Sequence, residues 1–523
     1  MKGCFAAVLC TLLLLSTAFA QVSILTSRNN NNRDGQNLSE TILTPANVNV
    51  SQFGKLYSQA VDGYIYAQPL YVPNVNIAGG THNVIYVATE HDSVYAFDAD
   101  SNGPALWQTS FIDPAHGITT VSSNDVGCGD LVPEIGITGT PVIDPGSQTM
   151  YLITKTKENS QIFQRLHAID ITTGQEKPNS PVTISAKVKG TGDGQSGGYV
   201  SFDPFREAQR SGLLLVNGYV FVAWASHCDI GPYHGWMMVY DPTSLKQLQV
   251  WNTTPNGGLG GIWQAGTGPA SDGNYVFFAT GNGTYDGPSG KNDYGDTVAK
   301  LPAKKTVPHK YDYFTPYNEA NFEHFDTDVG SGGVLLLPDQ GPGAPHQHLL
   351  VQVGKSGSIY LIDRDHMGLY RSNTNQIVQD MEGAIGGLWS TPAWWNNNVY
   401  FGGAGDVVRQ YSFDTQSGLL SNGAIHSSPG GFGYPGTNPA VSANGTTNAI
   451  VWALQTDQYG SNGPATLHAY DATNVSTELY NTNQNQSRDN PGGAVKFTVP
   501  TIANGKVYVP TASQLSVYGL LGN

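Results

Sequence analysis

The stretch "HFDTDVGSGGVLLLPD" sets two aspartates, Asp326 and Asp328, two positions apart before an apolar run, and "VQVGKSGSIYLIDRD" follows with Lys355 in a glycine-flanked loop. Two carboxylates that close, beside a metal, raise the pKa of one and divide acid and base roles between them. Upstream, "GGLGGIWQAGTGPASDGNYVFFATGNGTYDG" carries Trp263 and then Asn282. An indole offers a flat face to a planar ligand, and an amide oxygen suits a hard cation. "WASHCDIGPYHGWMMVYD" adds Ser226, Cys228 and Asp229, and "DVGCGDLVPEIG" sets Cys128 among glycines and acids. Each residue also has a plainer reading: turn aspartates for Asp326 and Asp328, a core side chain for Trp263, a turn or glycosylation sequon for Asn282, a solvated loop acid for Asp229.

These residues fall on turns between short strands. Long amphipathic helical patterns are absent. Alternating runs recur instead: "NVIYVATE", "TMYLITKTK", "YVFVAWAS", "YVFFATGNG", "HLLVQVGKSG", "NVYFGGAGD", "AIVWALQTD" and "KVYVPTAS". A second run follows each, often closing on aspartate, and a short strand precedes each. That strand usually opens on X-Pro, at Pro69, Pro141, Pro269, Pro392, Pro439 or Pro500. Two units, "SGLLLVNG" and "SGGVLLLPD", lack it. A proline at the start of a strand costs no ladder bond. Eight units at spacings of roughly fifty to seventy residues point to a propeller. The last unit is one strand short, while "FGKLYSQAVDG" near the N-terminus has no unit of its own. The expectation is an all-β chain: over residues 21–523, a single eight-bladed β-propeller of four-stranded antiparallel blades, its ring closed by the N-terminal strand so that no sheet edge stays open. A sandwich is the alternative, but it would not need eight similar units.

The opening "MKGCFAAVLCTLLLLSTAFA" has one positive charge, a short apolar run and small residues at Ala18 and Ala20. It reads as a secretory signal peptide over residues 1–20. The run is too short for a stable membrane span and no later stretch is long enough, so a secreted or periplasmic protein with no membrane span is expected. Cys4 and Cys10 leave with the leader, and Cys128 and Cys228 remain. With 25 Lys and Arg against 40 Asp and Glu, the net charge is −15, and no basic cluster stands out. Nucleic acid is therefore not an expected partner.

Eight blades with Y-x-x-D-x-x-T-G-like turns resemble the superfamily of pyrroloquinoline quinone (PQQ) alcohol dehydrogenases. Its tryptophan-docking repeat survives in part as "AFDADSNGPALW" to Trp107 and "VYDPTSLKQLQVW" to Trp251. The resemblance implies a site, residue by residue. Trp263 matches the floor beneath the quinone, and Asn282 the metal-binding asparagine one strand later. Ser226 and Asp229 match a cofactor-binding serine and a metal-binding acid. That acid is usually glutamate, so the shorter Asp229 sits back from the metal unless its loop moves in. Asp328 matches the catalytic base, with Asp326 close enough to compete for the role; an additional acid near this position also occurs in lanthanide-using relatives. Lys355 matches the cation that contacts the quinone. Where the superfamily has two adjacent cysteines and then N-R-G, this chain has Cys128-Gly129-Asp130 and Glu134-Ile135-Gly136. The vicinal disulfide is lost, and Glu134 replaces an arginine that touches the cofactor, putting a negative charge near an anionic quinone. Cys128 is expected to bridge Cys228 instead, tying neighbouring loops; two buried free thiols are the alternative.

The resemblance implies a dehydrogenase that oxidises an alcohol or sugar-like small molecule with PQQ and calcium, or a lanthanide. No C-x-x-C-H motif is present, so no haem is expected and electrons would leave to an external acceptor. A second reading is a non-catalytic extracellular propeller serving as a binding or assembly scaffold. A third is a metal-only hydrolase or lyase using the same pocket.

Overall fold

Each proline that opens a sequence unit stands directly before the first strand of a sheet: Pro69 before Leu70–Ile77, Pro141 before Val142–Asp144, Pro269 before Ala270–Ser271, Pro392 before Ala393–Trp395, Pro439 before Ala440–Asn444 and Pro500 before Thr501–Ala503. The two units without proline open on Leu214–Val216 and Leu335–Leu336. The computed structural model describes residues 21–290, 292–304 and 312–522; the expected signal peptide lies outside them. From these eight first strands grow eight antiparallel blades, most of four strands, as in Leu70–Ile77, Gly80–Thr89, Ser93–Asp98 and Trp107–Ser110. A hairpin of Lys187–Lys189 with Tyr199–Ser201 stands outside them. Among the described residues, helix is limited to short pieces such as Glu319–Phe325, and no helix is long and apolar enough to cross a membrane.

The last blade takes its outer strand from the other end of the chain. Phe53–Ala60 pairs antiparallel with Gln514–Leu520, in the register Gly54↔Gly519 and Ala60↔Gln514. The segment before it touches the first-strand region of blade after blade. Ile24 bridges Tyr71, Leu25 O accepts from Ile143 N, Asn32 O from Leu336 N, Asp34 O from Trp394 N and Gly35 O from Val441 N. Arg33 Nε donates to Pro269 O at 2.9 Å and Arg28 Nη2 to Pro392 O at 3.1 Å. Both arginines are fully buried, and burial pulls their pKa down, to about 9 for Arg33 and about 10 for Arg28.

The core lies between blades rather than within one centre. One apolar layer joins Val142, Tyr151 and Leu166 of the second blade to Val220, Trp224 and Met238 of the third. Another joins Leu335 and Val351 of the fifth to Trp394 and Phe401 of the sixth. Alternation along each strand supplies both faces of such a layer. Trp107 extends the same logic: its Nε1 donates to Ile171 O of the next blade at 2.9 Å. Trp251 packs edge-on against Phe278 of the fourth blade, centroids 5.3 Å apart. This leaves the turns at one end of the blades free to converge.

Candidate functional site

The segments that lead into the first strands meet around a cavity of about 320 Å³. Asp229, Trp263, Asp328 and Lys355 all line it, together with Cys228. Asp326 sits at its rim, 60 % exposed and ion-paired with Lys355. Ser226 and Asn282 do not line the cavity but are buried beside it, each with an oxygen, Oγ and Oδ1, that has no hydrogen-bond partner. The residue before Asn282 shows how close the packing is: a Cβ on Gly281 would lie 2.9 Å from Trp263 Nε1 and 3.0 Å from Asp328 Oδ2.

Local structure fixes the acidic side. The helix Glu319–Phe325 ends on Asp326 in the left-handed region, φ 51°, and the chain then turns inward to Asp328. The Asp328 carbonyl accepts from Lys355 N at 2.9 Å, and a Cβ on Gly354 would come within 2.2 Å of that carbonyl, so this approach needs glycine. Asp328 is 1 % exposed. Burial pushes its pKa up to about 6, with Lys355 opposing and Asp326 and Asp229 adding to the rise. Asp229 is also raised, first by burial, while a hydrogen bond from Tyr233 opposes. Cys228 and Asp229 are both left-handed, φ 52° and 53°, a sparsely populated geometry for such residues. The turn they make leaves both residues lining the cavity.

The disulfide joins Cys128 to Cys228, with Cα atoms 5.8 Å apart. Asp130 and Asp229, the residues just beyond the two cysteines, both line the cavity. Glu134 does not carry its charge into the cavity, contrary to the concern the sequence raises. It lies on the short strand Glu134–Ile135 paired with Ile118–Ser122. Its carboxylate takes His91 Nδ1 at 2.9 Å and Thr120 Oγ1 at 2.8 Å.

Sequence reasoning missed the opposite side of the cavity. Arg210 and Lys496 line it and share the carboxylate of Asp130. Burial alone would raise Asp130, but attraction to Arg210 and then Lys496 outweighs it and holds the pKa at about 2. Trp389, Tyr434, Tyr459 and Phe497 complete an aromatic wall; Trp389 and Tyr434 meet edge to face at 5.0 Å. The sequence did hold a signal for these residues. Trp263, Trp389, Tyr434, Lys496 and Phe497 all fall three to six positions before a blade-opening proline.

The cavity thus has an acidic side, a cationic side and a flat indole among its lining. No protein-family model matches the sequence, and a search of curated proteins finds no match. Solved structures do match. A quinohemoprotein alcohol dehydrogenase from Comamonas testosteroni is 13 % identical, with TM-score 0.60 over 96 % of this chain and 81 % of that one. The quinohemoprotein alcohol dehydrogenase ADHIIG from Pseudomonas putida HK5 is 15 % identical, with TM-score 0.56 over 96 % and 81 %. A europium-containing methanol dehydrogenase is 12 % identical, with TM-score 0.55 over 95 % and 98 %. This chain has the quinoprotein dehydrogenase propeller fold. BamB from Moraxella catarrhalis, at 14 % identity and TM-score 0.51, is similar over 89 % of the chain, so the quinoprotein fold does not by itself decide the chemistry.

The residues present fit a cation and a flat anion. Among the described residues no group of three or more His, Cys, Asp and Glu is spaced to hold a metal. Yet Asp229 and Asp328 offer carboxylates of raised pKa, and Asn282 Oδ1 is a buried acceptor without a donor. Oxygen donors of this kind suit calcium or a lanthanide.

Proposed function

We propose that the chain is a secreted or periplasmic dehydrogenase that oxidises an alcohol or sugar-like hydroxyl with PQQ and calcium or a lanthanide, passing electrons to an external acceptor. The observation that carries this reading is the coincidence, in one cavity, of Trp263, the raised carboxylates Asp229 and Asp328, and Lys355. The similarity of fold to quinohemoprotein and methanol dehydrogenases supports it.

Trp263 would stack on the quinone; Asp229 and Asn282 would hold the metal, and Ser226 would contact the cofactor. When bound, the metal and quinone together supply a Lewis acid and a hydride acceptor. The chain's own part is the proton. Asp328 takes the substrate hydroxyl proton at a carboxylate oxygen that has no competing donor. Lys355, charged and paired with both Asp326 and Asp328, keeps that carboxylate ionised above about pH 6. Asp326, largely in water, balances Lys355 rather than the substrate.

A non-catalytic scaffold is the second reading, favoured by the similarity to BamB, which carries no oxidoreductase name. Reconstitution separates the two: add PQQ and Ca²⁺, then follow dye-linked oxidation across a panel of alcohols and sugars. Turnover lost on Asp328→Asn supports the enzyme. No turnover with any substrate, with Ca²⁺ or a lanthanide, supports the scaffold.

A further inference from the structure

We infer that Arg210 and Lys496 form a carboxylate-binding subsite for an aromatic acid held against Trp263; this rests on the reading that the cavity takes a flat anionic ligand. Neither residue belongs to the motifs that suggested that reading. The side chains of both are 5 % exposed, and both pair with Asp130, Arg210 through Nη1 and Lys496 Nζ at 3.0 Å. Two cations on one carboxylate leave a positive charge in excess in a nearly dry place, where an uncompensated charge is expensive.

The other titratable groups facing this pair offset the excess only in part, since Glu90 is about half ionised near neutral pH. Glu90, behind Arg210, has its Oε2 taken by Gly136 N and Thr138 Oγ1, and burial pushes its pKa up to about 7. His227 is turned to another cation, its Nε2 lying 2.7 Å from Lys155 Nζ. Tyr66 is raised by burial and stays protonated.

The donors are available. A guanidinium has five N–H groups, and among the described residues Asp130 is the one hydrogen-bond acceptor of Arg210. Asp130 is likewise the one acceptor of Lys496. Arg210 Cζ lies 5.7 Å from the Trp263 ring centroid and 4.9 Å from that of Phe497, while Lys496 Nζ lies 5.0 Å from Tyr459 and 5.3 Å from Phe497. These ring faces steady the cations without using their hydrogen bonds. An arginine fork beside a ring is a matched receiver for a carboxylate on a flat ligand. Asp229 and Asp328, across the same cavity, repel an anion and so orient it. The cation that Glu134 removes from the motif is thereby restored from other blades.

The test is a tryptophan-fluorescence titration of the mature chain with Ca²⁺ present, using PQQ, PQQ trimethyl ester and benzene-1,3,5-tricarboxylate as probes. Wild type should bind PQQ more tightly than the ester. Arg210→Gln and Lys496→Gln should each weaken PQQ and the tricarboxylate by about tenfold or more, as loss of a charged hydrogen bond does, and leave the ester unchanged. Asp130→Asn should tighten both acids, a gain that a purely structural role would not give. Thermal melts of each variant establish that it is folded, and any one folded variant is enough to decide. Wild type that binds the tricarboxylate but not PQQ, with loss in Arg210→Gln, keeps the subsite and removes the PQQ reading. Acid binding equal to ester binding, folded variants that bind the acids like wild type, or a wild type that binds neither acid, overturns the subsite.

Discussion

Lys355 Nζ stands 2.8 Å from Asp328 Oδ1, so a buried carboxylate is held by a cation at one oxygen while its Oδ2 remains without a hydrogen-bond donor. An acceptor kept open in this way suits a group that must take a proton from something else. Burial and Lys355 pull its pKa in opposite directions, and burial wins, leaving it at about 6.

Activity should therefore need the ionised form, with kcat/KM rising as pH passes upward through about 6. Removing the opposing cation should move that midpoint higher. The pH–rate profiles of wild type and Lys355→Met check both statements, and a profile flat from pH 5 to 8 contradicts the assignment of Asp328 as the base.

The same shift predicts a stability effect of the opposite sense. The folded pKa of Asp328 lies above its ordinary value of 3.8. Its stabilising contribution is thus full below about pH 4 and lost as pH rises through about 6. Asp328→Asn cannot ionise, so in chelator it should stabilise the protein by roughly 3 kcal/mol at pH 7.5 and by only about 0.5 kcal/mol at pH 4. Denaturant unfolding at the two pH values measures this.

Much of the fold was legible in the sequence, because a proline before a strand and an aspartate after the third strand recur where the blade geometry demands them. The N-terminal turn segment from Ile24 to Gly35 was not legible, since its buried Arg28 and Arg33 satisfy backbone carbonyls rather than continue a pattern. In the site, Trp263, Asp229, Asp328 and Lys355 were legible through short local motifs. Arg210, Lys496 and Asp130 were not. They meet from three blades, and although Lys496 stands before a blade-opening proline, nothing local in "EAQRSG" or "GGAVKFTVP" announces an ion pair made between distant loops.

Asp328→Asn should lower turnover by about two to four orders of magnitude while leaving cofactor affinity within a few-fold of wild type, because only the proton-accepting step is removed. Rapid-mixing turnover assays alongside fluorescence titration separate the two quantities. Equal loss of both would assign Asp328 to binding instead.

The Cys128–Cys228 bridge closes a segment of 100 residues, for which loop-closure entropy gives about 4–5 kcal/mol. Cys128→Ser with Cys228→Ser should lower stability by up to that amount. It should also loosen the turns that carry Asp130 and Asp229, seen as faster hydrogen exchange in both. Two titratable thiols in the denatured, unreduced protein would contradict the bridge.

The central claim is tested most directly by isothermal titration of the folded chain with PQQ in the presence of Ca²⁺ or a lanthanide. The account predicts a saturable heat with one ligand per chain, weakened by Trp263→Ala through lost stacking and by Asn282→Ala through the metal. A folded wild-type protein that gives no heat with PQQ under either metal contradicts it.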